Sequence, residues 1–115
     1  MTPDAPTESQ ADPIEELIDF LTPAAEAILR RLDADEFTTI DFIEVLKTDP
    51  AANADYEEAV RRWGEGERYA KMVVHGQVIP LILRRSGLVE WAGYAHGQAD
   101  DYAVPAWWRL RQNPA

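Results

Sequence analysis

A chain of 115 residues, 46% hydrophobic and 28% charged, can bury one core without covalent staples, and its ordinary composition excludes wholesale disorder. The absence of cysteine excludes disulfides and thiolate metal sites, and no window nears the ~18 unbroken apolar residues of a membrane span. A net charge of −10 opposes strong nonspecific binding to nucleic acid.

Residues 1–12, MTPDAPTESQAD, hold Pro3, Pro6, Thr7 and Ser9 and no large apolar side chain after Met1, which predicts a disordered acidic tail. Its acidic, polar character is the reverse of a signal peptide, so a cytoplasmic location is expected. A single domain is expected over 13–110, with 111–115 as a C-terminal tail.

Pro13 opens an amphipathic helix with Ile14, Leu17, Ile18 and Leu21 at helical spacing. Thr22-Pro23 reads as the cap and first residue of a second helix running to about Leu32. Glu36-Phe37-Thr38 is long enough for one short strand. Thr38 or Thr39 then caps a helix whose stripe is Ile40, Ile43 and Leu46, with Asp41 placed to close a capping box. Asp49-Pro50 ends it, and a further helix over about Ala54 to Trp63 stops at Gly64.

Arg68 to Val89 holds no acidic residue in a chain that carries 21. Charge is divided to match: residues 1–60 carry 3 basic and 16 acidic side chains, whereas residues 61–115 carry 8 and 5. Such a division gives the field a direction, so an anionic partner is drawn to one side. Tyr69, Met72, Val73, Gly76, Ile79, Ile82 and Leu83 mark one helical face. Gly76 and Pro80 argue against one straight helix, and a break at His75-Gly76 with a new helix from Gln77 to Ser86 is expected. After Gly87 come a strand, Leu88 to Ala95, a turn at His96-Gly97-Gln98-Ala99, and a returning strand from Tyr102 to Leu110. Pro105 requires that strand to have one unpaired side or a bulge.

Helix, short strand, helix, helix and β-hairpin, with the run Leu81-Ile82-Leu83-Arg84-Arg85-Ser86-Gly87-Leu88-Val89-Glu90 passing from a basic helix end into a strand, resembles the winged helix-turn-helix superfamily over about residues 23–110. The resemblance implies a mainly α fold with a small β-hairpin sheet. One departure is that Pro50 to Val74, with a helix of its own, stands inserted between the second and third helices. It also implies a small DNA-binding protein, a transcriptional regulator, whose helix around Gln77–Arg85 reads double-stranded DNA. Arg68, Lys71, His75, Gln77, Arg84 and Arg85 are then the candidate contacts, the alternative being a solvated helix face. Arg84 and Arg85, at the far end of that helix, suit phosphate better than bases.

The hairpin tip weighs the other way. Asp100 and Asp101 would be repelled by a phosphate backbone, so this wing stays off DNA or meets a protein. The second function carried forward is therefore a winged-helix protein-interaction module, an acidic adaptor that does not bind DNA. The carboxylates Asp33, Asp35, Glu36, Asp41 and Glu44, then Asp55, Glu57 and Glu58, serve either solubility or docking to a basic partner. Of Trp107 and Trp108, adjacent on a strand, one should be core and one exposed. No histidine pair has metal-ligand spacing and no nucleophile or phosphate loop has a recognisable context, so no metal, cofactor or enzyme activity is expected. Leu17, Ile18, Phe20 and Leu21 are expected to pack against a second copy in a homodimer, or else to fold back on their own domain.

Overall fold

A computed structural model of the chain describes residues 12–97 and 100–111. The expected N-terminal tail up to residue 11, Gln98-Ala99 of the expected turn and C-terminal residues 112–115 lie outside them. The fold is mainly helical, with a small antiparallel sheet. Its elements are α1 (Pro13–Arg31), β1 (Glu36–Thr38), α2 (Thr39–Thr48), α3 (Pro50–Trp63), α4 (Glu67–Val73), a π-helical turn (Val74–Val78), α5 (Ile79–Arg85), β2 (Val89–Tyr94) and β3 (Ala106–Leu110).

The expected break at Thr22-Pro23 is absent: α1 is one helix with Pro23 inside it. Thr22 does not cap a new helix, because its hydroxyl donates back to the Ile18 carbonyl at 2.6 Å. The carbonyl that Pro23 leaves without an amide belongs to Asp19, an exposed residue, where a missing partner costs little. Leu17, Ile18 and Leu21 are buried in the core of their own chain, and Phe20 lies under the Arg62 guanidinium at 3.9 Å. These four side chains are therefore spent within the protomer, against the expectation that they meet a second copy.

The capping box forms as its spacing requires. The Asp41 amide donates to Thr38 Oγ1 at 3.1 Å and the Thr38 amide to Asp41 Oδ2 at 3.2 Å. Thr38→Ala should destabilise the domain by about 1 kcal/mol, measured by urea unfolding. An unchanged midpoint would show that the cap is replaceable by water. Helix α3 starts four residues earlier than expected. Asp49 both closes α2 and accepts from the Ala52 amide at 3.2 Å, with Pro50 at the first helical position. Gly64, at φ +79°, ends it in the left-handed region that costs glycine least.

Gly76 and Pro80 do not break their helix. The chain widens into a π turn, in which the Ile79 amide donates to the Val74 carbonyl five residues back. The wide turn takes in Gly76 and sets Pro80 in the first turn of α5, so α4 to α5 run on as one bent helix. A Cβ on Gly76 would sit 3.3 Å from the Ala103 Cβ, so the missing side chain lets the loop after β2 close onto the helix.

The sheet order is β1-β3-β2, with Phe37 opposite Trp108 and Trp91 opposite Trp108 across the two ladders. The strands are shorter than expected because residues 100–105 leave the sheet to reach the π turn. Pro105 stands at the strand's beginning, where its carbonyl accepts from the Ala95 amide at 2.8 Å. Trp108 is the core indole and Trp107 the exposed one. No described helix is long and apolar enough to cross a membrane.

Candidate functional site

The π turn aims His75 inward, where it is 4% exposed. Its Nδ1 lies 3.0 Å from Asp100 Oδ2 and its Nε2 lies 2.7 Å from the Tyr56 hydroxyl. A carboxylate only accepts, so Nδ1–H donates to Asp100, and Nε2 of the neutral ring accepts from Tyr56. Asp100 is held in turn by the Tyr102 amide, which donates to Oδ1 at 3.0 Å. This buried chain ties α3, the π turn and the loop after β2 together at one point. Burial lowers the His75 pKa, with Asp100 opposing, and burial raises that of the Tyr56 hydroxyl.

A cleft of about 310 Å³ lies above this chain, with Lys47 and Lys71 along its sides. The Lys47 ammonium stands 5.1 Å from the Tyr56 ring centroid, and Lys71 pairs with Glu67 at 3.0 Å while lying 5.6 Å from the Tyr102 ring. The Glu67 hydrogen bond raises the Lys71 pKa.

The six candidate contact residues do not form one surface. Arg68, Lys71 and His75 gather round the loop 100–102, where Arg68 donates to the Asp101 carbonyl and lies 5.7 Å from the Tyr102 ring. Arg85 makes a two-pronged ion pair with Glu15 of α1, both bonds 2.8 Å. Gln77 and Arg84 face a different feature, a groove between α5 and the hairpin. His75 corrects the reading of it as an outward contact, because it and Asp100 are buried against each other.

The groove encloses about 230 Å³. One wall is Gln77, Pro80, Leu81 and Arg84; the other is Trp91 and Tyr94 of β2, with Val104 at one end. Trp91 is 41% exposed, Tyr94 60% and Val104 58%. The Trp91 and Tyr94 rings meet edge to face at 5.3 Å, and the Arg84 guanidinium stands 5.7 Å from the Trp91 ring. A register shift between Trp91 and Tyr94, at Gly93, puts both aromatics on the groove side. The loop that supplies Val104 is the one clamped by the Asp100–His75 bond, so the buried chain shapes the groove from behind.

Sequence reasoning missed Tyr56 and Asp100 as partners of His75, because separations of 19 and 25 residues carry no local signal. The register shift that leaves Trp91 and Tyr94 open on the groove side carries no local signal either. Among the described residues no three His, Asp or Glu side chains converge as metal ligands. Compared with protein-family models, curated proteins and solved structures, the chain matches none.

Proposed function

We propose that the chain is a protein-interaction module of winged-helix architecture that holds an extended segment of its partner in the α5–hairpin groove. The architecture is supported by the element order and by a three-stranded sheet ordered β1-β3-β2 behind the α4–α5 helix. The observation that carries the interaction reading is the groove itself. Trp, Tyr and Arg, the residue types that dominate binding hot spots, stand open around an apolar trough. Its volume is below the roughly 300–1,000 Å³ of small-molecule pockets, which suits a few side chains of a polypeptide.

The cations weigh against DNA, the rival reading. Phosphate binding draws on unpaired cations and released counterions. Here Arg85 is engaged by Glu15, Lys71 by Glu67, and Arg68 by the hairpin loop, within a chain of net charge −10. Catalysis is the less supported reading, since Tyr56 and His75 are buried and spend their polar atoms on each other and on Asp100.

The test is selection of random peptides on the immobilised protein. Enriched peptides should lose at least about tenfold in affinity to Trp91→Ala, as expected for a hot-spot anchor. Equal binding by Trp91→Ala sinks the groove. A salt-sensitive mobility shift on duplex DNA that Arg84→Ala/Arg85→Ala abolishes restores the DNA reading.

A further inference from the structure

The π turn that aims His75 inward also sets the phase of the helix face that looks outward. Along an unbroken α-helix, the sixteen positions from Arg68 to Arg84 would leave these two side chains about 160° apart. The extra residue of the wide turn takes back about 100°, so they stand about 60° apart, on one side of the molecule. Between them Met72, Gly76 and Pro80 complete a row at every fourth position. Pro80 is half-buried and the other four are exposed. Gly76 and Pro80 already line the groove, and Met72, 42% exposed, carries its apolar wall one turn further. We propose that the partner's segment runs along this whole row, and that it is an apolar stretch with a carboxylate at each end, one meeting Arg84 and the other Arg68. This rests on the groove reading above and adds the length and chemistry of what the groove takes.

Charge is the first argument. Arg84 stands over Trp91 and has no ion-pair partner among the described residues. Arg68 gives one bond, at 3.4 Å, to the Asp101 carbonyl, which fixes its guanidinium without neutralising it. The neighbouring cations are already matched, Lys71 by Glu67 and Arg85 by Glu15, and no acidic residue occurs from Arg68 to Val89. The row therefore offers uncompensated positive charge at its two ends. Length is the second argument. Sixteen helical positions span about 24 Å, which an extended chain covers in about seven residues. Pleat alternation puts residues six or eight apart on one face, together with the side chains at every second position between them. The third argument is what lies between the arginines. Met72, Pro80, Trp91, Tyr94 and Val104 make an apolar surface that alternate side chains of a polypeptide can cover. A nucleic-acid strand, with a charge about every 3.4 Å, would have to lay phosphates over it.

The experiment selects random peptides of about nine residues on the whole immobilised chain and measures their affinities in solution. Enriched sequences should hold two carboxylates roughly six or eight residues apart, with apolar residues between them. Arg84→Glu and Arg68→Glu should each weaken binding about fivefold or more, and Met72→Ala about threefold, with the urea midpoint unchanged because all three side chains are exposed. Replacing one peptide carboxylate with lysine should restore affinity for one reversed variant and not for the other, which assigns an end of the segment to each arginine. If peptides that lose affinity to Trp91→Ala carry no such pair of carboxylates, or bind Arg68→Glu as well as the parent, the groove reading stands and the proposal is overturned. If no enriched peptide responds to Trp91→Ala, both fall. Displacement of the peptides by duplex DNA, lost in both reversed variants, would also overturn the proposal, in favour of a phosphate backbone.

Discussion

Trp108→Ala should cost about 3–5 kcal/mol, among the largest losses a single side chain can cause in a domain of this size. Trp108 is wholly buried on the central strand, opposite Phe37 on one side and Trp91 on the other. Its indole Nε1–H donates at 2.8 Å to Thr39 Oγ1, which also accepts from the Ala106 amide at 3.1 Å. One hydroxyl thus joins the first residue of α2 to the start and the middle of β3. Removing the indole opens a cavity under the groove and leaves Thr39 one donor short. Against a total of about 5–15 kcal/mol, the variant should unfold at much lower urea with one cooperative transition. Trp108→Phe keeps most of the volume and should lose less, about 1–2 kcal/mol, chiefly the hydrogen bond. Because Thr39 and Trp108 act through one bond, Thr39→Val and Trp108→Phe should combine less than additively. A loss below about 1 kcal/mol for Trp108→Ala would show that the sheet is held to α2 by other contacts.

The groove floor and its walls differed in how legible they were before folding. The alternation of Trp107 and Trp108 on a strand settles that one indole is core, and pleat geometry alone is enough for that. The capping box at Thr38 and Asp41 was legible because both partners lie within one turn. Where a local rule met a tertiary demand, the rule gave way. Pro23 stays inside α1 because the apolar stripe Leu17, Ile18, Leu21, Ala25 and Ile28 continues across it, and burying that stripe outweighs one missing amide. At Gly76 a sequence rule predicts a break, but the chain keeps its helix and inserts a π turn. The extra residue rotates His75 into the interior and leaves Gly76 facing Ala103. The basic set misled for a similar reason. Counting Arg and Lys along a segment says nothing about the carboxylates that fold onto them, and Glu15 lies 70 residues from its partner Arg85.

The buried His75 also makes stability depend on pH in a defined window. Its pKa in the folded chain is lowered by burial, while the Asp100 carboxylate raises it and Lys47 and Lys71 lower it further. The unfolded chain leaves this imidazole near its ordinary value of about 6.5. As pH falls below that value the unfolded state takes up the proton first, so the equilibrium moves towards unfolding. The contribution is therefore complete above about pH 6.5 and is lost as pH falls towards the folded-state value, at up to about 1.4 kcal/mol per pH unit. Urea unfolding of the parent chain at intervals between pH 7.5 and 5 should show that fall. His75→Gln, whose amide does not titrate, should be less stable at pH 7.5 yet lose this part of the slope. Asp100→Asn should lower the His75 pKa further, because it removes the carboxylate that favours the imidazolium, and so extend the slope to lower pH. The same variant loosens the loop that carries Val104, so peptide binding in the groove should weaken even at pH 7.5, where His75 is neutral in both chains. Identical slopes for the parent and His75→Gln would place the acid sensitivity elsewhere. The ion-paired carboxylates Glu15 and Glu58 act outside this window: hydrogen bonds from Arg85, and from Arg61 and Arg62, lower their pKa values, so their contribution is lost only as pH falls below the ordinary 4.5.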